Sequence, residues 1–208
     1  MNMPVKNPNV EEIHSYNVDI PRRVIYLHSE NEPGEPEEAG VDFKMTQRFI
    51  KNIDILNAKA KTPITVKMFS CGGCWNYGMA IFDAIRHSAA PVSFESFAHA
   101  RSMSSIIPQA AKTRRIHRHC DFMIHYGTYS DSGEWRQVMS GAKFAEGSVD
   151  QMLNIYVDRC IKGQYAKEKG LDKKELMEDF RCRTEKKTDW WMTPEEAVYY
   201  GFMDEVIT

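Results

Sequence analysis

Apolar positions along this chain follow two periods, and each change of period marks an element. Arg23-Val24-Ile25-Tyr26-Leu27 and Ile64 to Phe69 read as strands. Two further apolar runs, Val92 to Ala100 and Phe122 to Ile124, lead directly into Arg101-Ser102 and His125. Between these runs the spacing becomes helical. Phe43, Phe49, Ile50, Ile53 and Leu56 predict a helix over Val41 to Ala58, Asn76 to His87 predicts a second, and Met103 to Ala111 a third. Pro108 falls inside that third stretch, where it removes a helical hydrogen bond and kinks the helix unless it lies in the first turns. From Glu134 to Tyr165, Trp135, Val138, Met139, Ala142, Val149, Met152, Leu153, Tyr156 and Ile161 form one long stripe, read as core or interface packing. The last helix carries the clearest signals. Thr193 caps it, Pro194 suits its first position, Glu196 completes a capping box and Gly201 suits its end.

The polar stretches set the boundaries. Residues 1–21 are polar and Pro-bearing and read as an N-terminal arm, leaving 22–208 as one domain. Glu30 to Gly40 holds five Glu with Pro33 and Pro36, a solvated loop. A net charge of −2 argues against a nucleic-acid binder, and Arg114 to His119, the one basic cluster, reads as a solvated strand or an edge that faces a neighbour. No apolar run reaches the length of a membrane span, so no membrane partner is expected. Met1 to Lys6 lacks a signal-peptide core. Cys71-Gly72-Gly73-Cys74 has the spacing of half a metal or redox motif, but Cys120, Cys160 and Cys182 are scattered singly. All five cysteines are therefore read as reduced thiols in a cytoplasmic protein, with no metal and no cofactor.

Against this background Ser102, His125 and Asp189 are the residues that carry chemistry. Ser102 opens a helical stretch, where unpaired backbone N–H groups favour developing negative charge. A serine hydroxyl needs a base, which His125 supplies, and the imidazole needs a carboxylate to orient it, which Asp189 supplies. Ser104 and Ser105 are alternative nucleophiles; Asp121 and Asp131 are reserve acids. The chain order and the lack of a G-x-S-x-G elbow disfavour the chymotrypsin, subtilisin and α/β-hydrolase folds.

The segments Met68 to Cys74, Gly78 to Ile85, Ala100 to Ser105, Met123-Ile124-His125 and Asp189 to Asp204 together resemble the proteolytic subunit of the Clp protease, over about residues 16 to 208. The resemblance implies an α/β, crotonase-like fold of stacked ββα units with a long handle helix at about 130–170. It also implies heptameric rings stacked in pairs, residues 1–21 as an axial segment, and an AAA+ unfoldase that delivers polypeptide substrates. Ser102 is then the nucleophile, His125 the base and Asp189 its orienting acid. The Gly73 and Met103 N–H groups form the oxyanion hole, and Gly72, Gly73, Cys74 and Tyr126 contact substrate.

The chain departs from the family at defined places. Phe69-Ser70-Cys71-Gly72-Gly73-Cys74 stands where the family has Asn-Ser-Pro-Gly-Gly-Ser. Met103-Ser104-Ser105 replaces Met-Gly-Ala, Lys187-Thr188 replaces an acidic-Arg pair used between rings, and the interval from His125 to Asp189 is longer. These departures keep three other readings open: a virus-type maturation protease, an inactive scaffolding ring subunit, and a crotonase-type acyl-CoA enzyme.

Overall fold

The computed structural model describes residues 10–29 and 40–208. The acidic loop expected over Glu30 to Gly40 therefore lies outside the described residues, apart from Gly40. Within the segment read as an arm, Val10–Tyr16 is a helix, α1, and Val18–Asp19 a short strand, β1.

Parallel pairing builds the centre of the sheet. β2 (Val24–His28), β3 (Ile64–Ser70) and β4 (Val92–Arg101) lie side by side in parallel, and β1 closes one edge antiparallel to β2. Ile64, Val66, Met68 and Ser70 point into the protein from β3, with the residues between them more exposed, as a period of two requires. Helices fill the connections, as parallel crossovers demand. α2 (Phe43–Lys59) is capped by Asp42, whose carboxylate accepts from the Met45 N–H at 2.7 Å, and it buries Met45, Phe49, Ile53 and Leu56. α3 (Trp75–Arg86) follows the glycine turn.

β4 changes partners along its length, and this positions the site. Ser93 to Ser96 pair with β5 (Thr113–His117), whereas His99 to Arg101 pair with β6 (Asp121–Ile124). The switch coincides with a register shift between β3 and β4 and with Ala98 at φ +54°. A bulge there lets the end of β4 leave one neighbour and join another.

The third helix is shorter than its apolar spacing predicts. α4 covers Met103–Ile106, and Ile107–Ala110 continues as a 3₁₀ turn with Pro108 near its start. Proline lacks the N–H that an α-helix would need at that point. The long stripe also divides. α5 (Trp135–Cys160) ends before Gly163, which starts α6 (Gln164–Lys169). α7 (Lys173–Lys187) is opened by an Asp172–Glu175 capping box. Its apolar content is low, so the sequence pattern did not announce it.

The chain finishes with β7 (Trp190–Met192), α8 (Pro194–Tyr200) and β8 (Glu205–Ile207). β7 pairs antiparallel with β6, and β8 runs parallel to β5. Phe180 of α7 packs on Trp190 at 5.6 Å and on Phe202 at 5.1 Å, while Phe122 stacks on Phe202 at 5.3 Å. This aromatic core locks α7, β6 and β7 together. The basic cluster is not uniformly solvated: along β5, Arg114 and Ile116 are buried. Arg114 forms an ion pair with Asp204 and donates to the Gln109 side-chain oxygen at 2.7 Å. The strand's period of two, not its charge, sets which residues turn inward.

Candidate active site

Three strand ends deliver Ser102, His125 and Asp189 to one place. Arg101 lies beside Met123 in the β4–β6 register, and the Ser102 N–H donates to the Met123 carbonyl at 3.0 Å. The hydroxyl thus leaves the sheet next to the end of β6. His125 follows β6 directly, and its Nε2 is 2.8 Å from Ser102 Oγ. In the β6–β7 ladder Ile124 pairs with Trp190, so the next step outward sets His125 opposite Asp189. Their separation is 3.3 Å, Nδ1 to Oδ1. Both ring nitrogens of His125 are therefore engaged, one by the hydroxyl and one by the carboxylate.

The backbone is strained at Ser102 and at Thr188, the residue before Asp189. Ser102 has φ +52° and ψ −128°, a region that L residues other than glycine avoid. Thr188, just before Asp189, has φ +60° and ψ −63°, and the Asp189 N–H donates to the Lys187 carbonyl at 2.7 Å. That is a γ-turn of the rare hand, centred on a β-branched residue. The aromatic core under Trp190 holds it in place.

The glycine turn lies against the serine. A Cβ at Gly72 would stand 2.7 Å from Ser102 Cβ and 2.9 Å from the Arg101 carbonyl, at a backbone φ of +118°. Only glycine fits there. Val41 bridges to this turn through the Gly72 carbonyl (2.5 Å) and the Cys74 N–H (2.9 Å), and the Gly73 N–H takes part in neither bond. Met103 is the first residue of α4, so its N–H has no partner within the helix.

A cleft of about 770 Å³ opens over these groups. Gly73, Cys74, Ser102, Met103, His125 and Tyr126 line one side, and Phe144, Val149 and Met152 of α5 line the other. Val149 and Met152 were read from the sequence as packing. Periodicity gives the face of a helix but not what the face meets.

The alternative residues are placed elsewhere. Ser104 is buried, and Ser105 Oγ is 2.6 Å from the Tyr156 hydroxyl and donates to the Ser102 carbonyl at 2.6 Å. Asp121 binds the Arg101 guanidinium, with Nε at 2.6 Å from its Oδ1, and Asp131 accepts from the Tyr129 hydroxyl at 2.8 Å. Sequence reasoning missed the role of Arg101. Its guanidinium also lies over the Trp191 ring, 4.9 Å from the centroid, so one side chain spans β4, β6 and β7. Cys74, Cys120, Cys160 and Cys182 are free thiols, and burial pushes the Cys120 thiol up to about 12. Among the described residues, no group of three His, Cys, Asp or Glu side chains could hold a metal ion. Among the same residues, no helix is long and apolar enough to cross a membrane.

The fold agrees with comparison to known proteins. The Clp protease family model matches residues 38–208, and the chain belongs to that family. It is similar to an ATP-dependent Clp protease proteolytic subunit of Deinococcus radiodurans, at 28% identity over 170 residues covering 80% of this chain and 76% of the relative. A Protochlamydia amoebophila ATP-dependent Clp protease proteolytic subunit 1 is 30% identical over 149 residues, 70% of this chain and 65% of the relative. A solved structure of a ClpP1 mutant from Listeria monocytogenes superposes with a TM-score of 0.69, covering 90% of this chain and 92% of that one at 19% identity. That likeness establishes the α/β ClpP-like fold.

Proposed function

We propose that this protein is a serine endopeptidase that cleaves polypeptides through an acyl-enzyme on Ser102. The observation that carries this reading is the contact of Ser102 Oγ with His125 Nε2 at 2.8 Å, backed by Asp189 at 3.3 Å from Nδ1. His125 takes the hydroxyl proton as Ser102 Oγ attacks the scissile carbonyl carbon. Asp189 keeps Nδ1 protonated and stabilises the imidazolium that forms. The Gly73 and Met103 N–H groups receive the oxyanion, each contributing on the order of 10²–10³ in rate. His125 then protonates the leaving amine, and water attacks the ester by the same route in reverse.

The substrate backbone enters the cleft as an added strand beside Gly72 and Gly73, with Cys74 and Tyr126 at its flanks. Family membership supports assembly into stacked heptameric rings and delivery of substrate by an AAA+ unfoldase. Hydrolysis of fluorogenic peptides by the full chain and by Ser102→Ala tests the activity. The reading requires cleavage by the first and loss of it in the second, with both assembling alike in sedimentation. Equal cleavage by both would remove Ser102 from the chemistry.

A further inference from the structure

A second cavity, of about 370 Å³, opens at the C-terminal end of α5 and shares no lining residue with the Ser102 cleft. Four parts of the chain build it: Arg114 of β5, Asp158 and Arg159 of α5, Lys162 and Gly163 in the turn to α6, and α8 with the residues after it, to Asp204. Its charges are unevenly matched. Asp204 is committed to Arg114, accepting from the Arg114 backbone N–H at 2.7 Å and from its guanidinium. Asp158 is held by Lys173 at 2.5 Å. Two carboxylates are thus occupied, and two cations, Arg159 and Lys162, line the same cavity without a carboxylate of their own among the described residues.

Arg159 is the more telling of the two. Its Nη2 donates to the Ala111 carbonyl at 2.7 Å, but its Nε is buried with no acceptor among the described residues. A buried donor left unmatched has lost its water and gained nothing in return, and the loss is greater when the group is charged. Burial first, then the nearby Arg114, disfavour its charged form, and the opposing influence of Asp204, already paired with Arg114, only partly offsets them. A protein that gathers cations around a cavity and leaves one underserved has built the complement of an anion.

We propose that this cavity is a binding site for an oxyanion, the phosphoryl or carboxylate group of a small molecule, held between Arg159 and Lys162. The guanidinium supplies planar, paired donors and Lys162, on an exposed turn, supplies a point charge at the mouth. The volume accommodates more than the anionic group alone, so the ligand is a small organic molecule that carries it.

Calorimetric titration of the full chain with inorganic phosphate, and separately with acetate, at fixed ionic strength tests this. The proposal predicts saturable binding of at least one of them, weakened about tenfold or more by Lys162→Gln and by Arg159→Gln. Phosphate alone saturating would assign a phosphate ester; acetate alone, a carboxylate. Ser102→Ala should bind as the parent does, so this result is independent of the peptidase reading. Lys162 is exposed, so its substitution leaves folding intact if the Arg159 variant does not fold. Absence of saturable binding of either anion at about 10 mM, or binding that Lys162→Gln leaves unchanged, would overturn the proposal.

Discussion

His125 and Asp189 face each other because the β6–β7 ladder, extended by one residue beyond the Ile124–Trp190 pair, makes them cross-strand neighbours. Their contact is a property of the sheet and not of a mobile loop. On the proposed peptidase reading, Asp189→Asn keeps the size and position of the side chain but no longer holds the imidazole in the tautomer that accepts the serine proton. Peptide hydrolysis should fall by about 10⁴ in kcat, with the thermal midpoint within a few degrees of the parent. Steady-state kinetics and a melting curve check both halves.

Gly72 touches the back of Ser102. A methyl group in Gly72→Ala would meet Ser102 Cβ at 2.7 Å on a backbone at φ +118°, so either the turn or the serine must move. The variant should lose peptide cleavage even though the hydroxyl, imidazole and carboxylate are all retained. A displaced Gly73 N–H alone should cost on the order of 10²–10³ in kcat. Full activity would show that the turn has no part in the site.

Arg101 clasps the three strands that deliver the site, by its ion pair with Asp121 and its position over Trp191. Neither partner touches Ser102, His125 or Asp189 among the contacts described. Trp191→Ala, at a half-exposed position, should leave the fold intact and lower kcat roughly ten- to hundredfold by loosening the register of Asp189. KM should change little. A pure packing role would instead lower the melting temperature and spare kcat.

The cysteines separate by burial. Cys74 is exposed in the cleft, whereas Cys120 and Cys160 are buried and both thiols are pushed up by desolvation, Cys120 to about 12. The thiolate is the reactive form, so at pH 8 only on the order of one in 10⁴ Cys120 side chains is nucleophilic. Iodoacetamide on the native protein should modify Cys74 well before Cys120 or Cys160, as peptide mapping by mass spectrometry would read. Modification at Cys74 should also block the cleft and stop hydrolysis.

Much of this was legible in the chain. The capping box at Thr193 and Glu196, the strand Ile64 to Phe69 and the helix after Gly72-Gly73 follow from local chemistry that tertiary packing did not override. Ser102, His125 and Asp189, which the structure brings together, could be singled out because a serine, a histidine and an aspartate stand in segments that resemble one family. What was not legible depends on long-range geometry. α7 is mostly charged, and its place is set by Phe180 entering the aromatic core around Trp190 and Phe202. Arg114 read as solvated, yet the strand turns it inward to Asp204. The clasp of Arg101 joins residues on three strands and leaves no local signature.

The most direct test of the peptidase account is labelling of the assembled protein with a fluorophosphonate probe, followed by peptide mapping. The account predicts covalent modification at Ser102 that is lost in Ser102→Ala and strongly reduced in His125→Ala. Labelling at a different serine, or none in a protein that is folded and assembled, would contradict it.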